Sequence, residues 1–173
     1  MLIKQCWIFF TSQWPLIQTA AIVLSAIAAI YLIYYNGKIA RQQSLINLII
    51  QQRSDQALNE AFAIVYDLAG ENMLSYYVPA APPEGEKDPE LYFKRRSAIL
   101  KVLNTQEFIA VGIRMGAFDE KVYKQLQCSN VLKIWKATHG FIAEVRNINQ
   151  RTTLFQDLER LASKWEKNPI KRI

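Results

Sequence analysis

The 21 residues from Pro15 to Tyr35, PLIQTAAIVLSAIAAIYLIYY, carry no charged side chain. A helix rises about 1.5 Å per residue and the hydrocarbon core of a bilayer is roughly 30 Å thick, so this run has the length of one membrane crossing. Lipid offers no partner to an unpaired backbone group, which leaves a helix as the way for a single segment to cross. Trp14 precedes the run, and Tyr31, Tyr34 and Tyr35 crowd its far end. Those are the places where rings with one apolar and one wet side settle at the headgroup level. Two rival readings are a buried core helix and a cleaved signal peptide. Against the first, Gln18, Thr19 and Ser25 are the only polar residues inside the run. Ala26-Ile27-Ala28 resembles a small-x-small cleavage site, but apolar sequence continues to Tyr35, past the point where a signal peptide turns polar.

The sequence therefore divides into a short tail (1–14), a transmembrane helix (15–35), a helical stalk (36–69) and a helical domain packed with the stalk (70–173). In the tail, Leu2 to Phe10 is apolar but too short to span, which suggests an interfacial segment with Trp7, Phe9 and Phe10 dipping into lipid. Lys4 and the amino terminus are the positive groups before the span, whereas Lys38, Arg41 and Arg53 follow it, with no acid until Asp55. The positive-inside rule then puts the C-terminal part in the cytoplasm, on a single-pass protein of the inner (cytoplasmic) membrane.

Lys4 is the only charged side chain before Lys38, so residues 36–173 hold 20 of the 21 Lys and Arg and all 15 Asp and Glu, a balance of +5. That is modest, and the basic clusters Lys94-Arg95-Arg96 and Lys167 to Arg172 read as solvated faces, so no nucleic-acid partner is expected. The two cysteines, Cys6 and Cys128, lie on opposite sides of the expected span and so are not paired within one chain. Neither has a CxxC companion and His139 is the single histidine, so neither a metal nor another cofactor is expected.

Helical periodicity persists after the span. Ile46, Ile50, Ala57, Ala61, Ile64 and Leu68 recur at three- and four-residue steps, as a dimer seam or, the favoured reading, as a face packed on its own domain. The stalk is expected to run from about Lys38 to Ala69 and to stop at Gly70. Val78 to Pro89 holds four prolines and one glycine and reads as a loop. Asp88-Pro89-Glu90 starts a helix that reaches Met115 and is closed by Gly116. Asp119 caps a short helix over Glu120–Leu126, Ser129 or Asn130 starts another over Val131–Asn147, and a Thr153/Gln156 capping box precedes the last, Leu154–Lys167. With no alternating β-branched run and no Asn-Gly turn, the fold class is all-α: one N-terminal transmembrane helix continuing into a stalk, followed by a small bundle of four to five helices.

The densest pattern is Glu107 to Glu120, EFIAVGIRMGAFDE. Gly112 inside a helix costs about 1 kcal/mol relative to alanine, which a close helix–helix approach would explain. Glu107 and Arg114 stand two turns apart on one face, and each needs a partner if buried; Glu144 and Arg146 are the expected candidates. Glu107, Gly112, Arg114, Gly116, Trp135, Glu144 and Arg146 are thus the structural or interaction candidates, with a binding groove expected near Trp135, Tyr123 and Phe141. This stretch, from Arg96 to Gly116 with Phe118-Asp119-Glu120, resembles a family of uncharacterised bacterial and phage proteins. Trp135 with Phe141-Ile142-Ala143-Glu144-Val145-Arg146, and Phe155 to Trp165 with Leu158-Glu159-Arg160-Leu161-Ala162, extend the resemblance over roughly Lys4 to Trp165. It implies one N-terminal membrane anchor and a helical cytoplasmic domain of unknown function, with cell-envelope or phage-exclusion roles suggested by association with prophages. It brings no chemistry.

Enzyme signatures are missing. Arg146-Asn147 approaches a helical ribonuclease pattern, but Arg151, Thr152 and Thr153 stand where its histidine belongs. No GxxxxGK[ST], HExxH or GxSxG occurs. The expectation is a non-enzymatic, membrane-anchored interaction module whose partners are the lipid bilayer and a protein or its own copies. The alternative is a phage- or stress-related membrane effector that self-associates through Ala20, Ala21, Ser25, Ala28 and Ala29. A hydrolase or nuclease without a recognisable motif comes third.

Overall fold

The computed structural model describes the backbone of residues 2–170 and the side chains of residues 14–170. The side chains of Cys6, Trp7, Phe9 and Phe10, and Arg172 in the tail, lie outside the described residues. Every regular element among those described is helical, as expected: α1 (Leu2–Ser54), α2 (Gln56–Gly70), a 3-10 turn (Leu74–Tyr77), α3 (Pro89–Arg114), α4 (Glu120–Asn149) and α5 (Gln156–Lys167). The chain divides into two units, one up to Ala40 and one from Arg41 on.

In the first unit α1 starts at Leu2 and carries Pro15 and Gly37 within it. All residues from Trp14 to Lys38 are exposed. Among the described residues this is the one helix long and apolar enough to cross a membrane. Its two hydroxyl side chains are spent internally: Thr19 Oγ1 donates to the Pro15 carbonyl and Ser25 Oγ to that of Ala21, each at 2.8 Å. Such bonds to the preceding turn let a hydroxyl sit in an apolar medium without an unmet donor.

In the second unit the expected continuous stalk is broken. α1 ends at Ser54, and Asp55, in extended conformation, caps α2 by accepting from Leu58 N at 2.9 Å. The break resets the helical phase. Leu45 and Ile49, not Ile46 and Ile50, are the buried residues of the α1 segment, and Leu58, Ala61, Val65 and Leu68 form the buried stripe of α2. α2 packs most extensively on α3, and α5 lies against both α3 and α4. Trp165, Tyr92, Tyr123 and Phe141 are the bulkiest fully buried side chains of the shared core.

α3 begins as the Asp88-Pro89-Glu90 chemistry dictates, with Asp88 accepting from Leu91 N at 2.9 Å. It ends in a Schellman motif: Gly116 adopts φ +72, Ala117 N donates to Gly112 O at 2.8 Å and Gly116 N to Ile113 O at 3.0 Å. α2 and α4 end the same way, with Asn72 and Gln150 in the left-handed position, so Gly70 is the last helical residue of α2 rather than its left-handed cap. The close approach behind Gly112 is not another helix. It is the Phe118 ring, folded back from the α3–α4 connection, and a β-carbon on Gly112 would overlap it. Gly112→Ala is therefore expected to lower stability by about 1–3 kcal/mol through overpacking, despite a helix-propensity gain of about 1 kcal/mol. Urea unfolding of the purified protein checks the sign; a stabilised variant would show that Phe118 yields freely.

Ser129 and Asn130 start no helix, because α4 runs unbroken from Glu120 to Asn149. Both are exposed, and the buried stripe of Tyr123, Cys128, Val131, Ile134, Thr138 and Phe141 continues through them. Burial along that stripe outweighs the few tenths of a kcal/mol by which such residues disfavour a helix. The loop expected over Val78 to Pro89 is preceded by the 3-10 turn, and Tyr92 fastens it by donating to the Pro79 carbonyl at 2.9 Å. Tyr76 donates to Glu86 there, and that hydrogen bond pushes the Tyr76 hydroxyl up to about 12.

Candidate functional site

Three of the candidate residues converge on the start of α5. No Thr153/Gln156 capping box forms. The cap position is Phe155, a left-handed residue with φ 56 and ψ 30 whose side chain makes no capping bond. A non-glycine residue costs about 1–2 kcal/mol in that conformation, offset here by burial of its ring. The free N–H groups of α5 are met from another helix. Glu107, on α3, accepts from Asp157 N at 3.2 Å through Oε1 and from Leu158 N at 2.7 Å through Oε2. A carboxylate in that position also sits on the positive end of the α5 dipole.

Asp157 is 4% exposed and faces two guanidinium groups, with Arg114 Nε at 2.8 Å and Arg160 Nη1 at 2.9 Å from its Oδ1. Arg146, in the last turn of α4, donates from Nε to the Leu154 carbonyl at 2.8 Å and pairs through Nη1 with Glu159 at 2.8 Å. Its Nη2 is buried without a partner among the described residues. On the other side of α5, Glu120 accepts from Lys164 Nζ at 2.7 Å and from the Trp165 indole at 3.1 Å. Burial raises the Glu120 carboxyl, but those two hydrogen bonds and the nearby lysines carry it below the ordinary range.

The expected need for partners at Glu107 and Arg114 is met, but by α5 and not by Glu144 or Arg146. Glu144 instead accepts from Ser75 Oγ at 2.7 Å, which ties α4 to the 3-10 turn. Trp135 is half-buried beside His139, with ring centroids 6.2 Å apart. Trp135, Tyr123 and Phe141 do not line one groove: Phe141 is a fully buried core residue, and Tyr123, whose ring leans on Trp165, borders a groove that the other two do not reach. Gly116 and Gly112 shape the turn that leads into α4. What sequence reasoning missed is Asp157, the acid that binds both arginines. Its signal was present: it and Glu159 are the acidic residues of the first α5 turn.

A cavity of about 260 Å³ opens beside this network, lined by Arg114, Arg160 and Lys164 with Asp157 and Glu120. Arg114 and Arg160 share the Asp157 carboxylate and Lys164 pairs with Glu120, so three cations meet two acids, and the pairs of Arg114 and Lys164 join helices. No group of three metal-ligating side chains occurs among the described residues.

The motif carrying these contacts falls inside a recognised domain. The family model of DUF4760, a domain of unknown function, matches residues 19–165. The chain belongs to the DUF4760 family. The match takes in most of the exposed apolar stretch of α1 as well as α2, α3, α4 and α5 as far as Trp165, so both units of this DUF4760 protein are represented in it. No curated protein and no solved structure matches the chain.

Proposed function

We propose that this DUF4760 protein is a single-pass, membrane-anchored interaction module and not an enzyme. It is held in the inner (cytoplasmic) membrane with the residues after Lys38 in the cytoplasm, and its partners are the bilayer and a protein. The observation that carries this reading is the uninterrupted exposure of α1 from Trp14 to Lys38, apolar through Tyr35. An exposed apolar surface of that extent on a folded chain calls for lipid or a partner to cover it. The stacked rings of Tyr31 and Tyr35, 6.1 Å apart, lie at the end where the headgroups would be. In the helical unit from Arg41 on, the ion pairs Arg114–Asp157, Arg146–Glu159 and Lys164–Glu120 join helices, as suits a scaffold that presents a surface. Anchoring raises the effective concentration of that surface toward other membrane residents.

The test is in-cell crosslinking of the full-length protein beside the double variant Leu24→Arg, Ala28→Arg. Each arginine at a span centre costs about 2.5–3.5 kcal/mol of insertion. The variant is therefore expected to leave the alkali-resistant membrane fraction while keeping its helical circular dichroism. One reproducible partner protein, lost in the variant, supports the module. Crosslinks to its own copies alone would replace it with the self-associating effector, and a wild-type chain extracted by alkali would overturn the anchor.

A further inference from the structure

A second groove, unrelated to the α5 network, lies where the end of α1 and the start of α2 meet α3 and α4. Its volume is about 300 Å³. Its lining is unusual in chemistry: carboxamides of Gln52, Asn59, Gln106, Gln127 and Asn130, one guanidinium from Arg53, and no carboxylate. Gln106 sits on the buried stripe of α3 between Leu103 and Ile109 and is itself 6% exposed. Its Oε1 accepts from the buried Tyr123 hydroxyl at 3.1 Å, whereas its amide nitrogen has no hydrogen-bond partner within the protein although the side chain lines the groove. That amide donor is not sealed in the core, so it is open to a ligand in the groove without carrying the penalty of a buried unmet group.

The rest of the lining is also underused. Gln127 accepts from Asn130 Nδ2 at 2.8 Å, leaving the Gln127 amide nitrogen and the Asn130 oxygen available. Arg53, at the end of α1, makes no side-chain ion pair among the described residues. One flank is aromatic. Phe62 and Tyr66, one turn apart on α2, stack with centroids 6.4 Å apart and 25° between planes. Lys133 stands 4.1 Å over the Tyr66 ring and adds positive potential at that edge.

We propose that this groove binds a nucleoside monophosphate, its base edge read by Gln106, Gln127 and Asn130 beside the Phe62–Tyr66 flank and its phosphate held by Arg53. Carboxamides offer a donor and an acceptor side by side, which matches the mixed edge of a nucleobase, and rings accept any flat heterocycle. A lining with one cation and no acid selects an anion of low charge. The volume admits a small molecule and no folded partner.

The experiment is calorimetric titration of the full-length protein in detergent with AMP, GMP, CMP and UMP. Ribose 5-phosphate, inorganic phosphate and an N-acetylated dipeptide serve as comparison ligands. At least one nucleotide is expected to bind, with ribose 5-phosphate and phosphate silent at the same concentration. Arg53→Gln is expected to weaken that binding by about tenfold or more, the worth of one charge-assisted hydrogen bond, and Gln127→Ala by several-fold. Both side chains lie at the groove rim rather than in the core, so neither variant depends on the buried Gln106 surviving substitution. Absence of binding by all four nucleotides overturns the proposal. So does binding that both variants leave unchanged, or binding of the dipeptide alone, which would reassign the groove to peptide carboxylates.

Discussion

Trp165→Ala is expected to be the most damaging single substitution in the helical unit. Trp165 is fully buried, its ring leans on Tyr123 at 5.8 Å, and its indole N–H is satisfied by Glu120. Truncation removes the largest side chain of the core and leaves Glu120 without one of its donors. Phe/Trp→Ala changes in cores cost about 3–5 kcal/mol, set against a total stability of roughly 5–15 kcal/mol for an ordinary domain. Urea unfolding followed by circular dichroism measures it. Trp165→Phe, which keeps most of the volume and loses the N–H, is expected to recover more than half of the loss. A Trp165→Ala variant within about 1 kcal/mol of wild type would mean that α5 is not seated as described.

The second large effect is expected at Glu107. In Glu107→Ala the amides of Asp157 and Leu158 lose their shared acceptor, and the positive end of α5 loses its counter-charge. The cost is about 2–3 kcal/mol, from unmet donors on buried residues and a lost helix cap. Glu107→Gln keeps one acceptor oxygen and should cost about 1 kcal/mol. Hydrogen exchange gives the sharper readout: α5 amides should lose protection in Glu107→Ala while those of α2 keep theirs. Equal destabilisation by the two variants would show that Glu107 acts through packing rather than as an acceptor.

Where local chemistry decides an element, it was legible in the residues. Asp88-Pro89-Glu90 and Gly116 bound α3 because a cap, a fixed φ and a left-handed glycine act within one turn. The same reasoning misplaced the middle of α4, since the preference of Ser129 and Asn130 for helix starts is weaker than the burial of Cys128 and Val131 on either side. It also carried the stalk through Asp55, where one capping aspartate breaks the helix and shifts which isoleucines face inward. At the α5 network the demand for partners was readable from a carboxylate and a guanidinium on one helix face. The identity of the partners was not, because Asp157 lies 50 residues from Glu107 and nothing in periodicity reports that distance. Gln106 is the intermediate case. A glutamine in register with Val102, Leu103 and Ile109 marks a polar group in the core, but only the folded arrangement shows that its amide nitrogen is left over.

The borrowed cap of α5 has a consequence for how the unit assembles. A 12-residue helix is too short to persist alone in water, and this one begins at a left-handed phenylalanine whose side chain supplies no acceptor. Its first turn becomes stable only once the α3 surface carrying Glu107 and Arg114 is in place. α5 is thus a late-docking segment, coupled to long-range closure rather than to local propensity. Loosening α3 removes the acceptor of the first α5 turn, while Glu120 and Arg146 still hold the helix to α4.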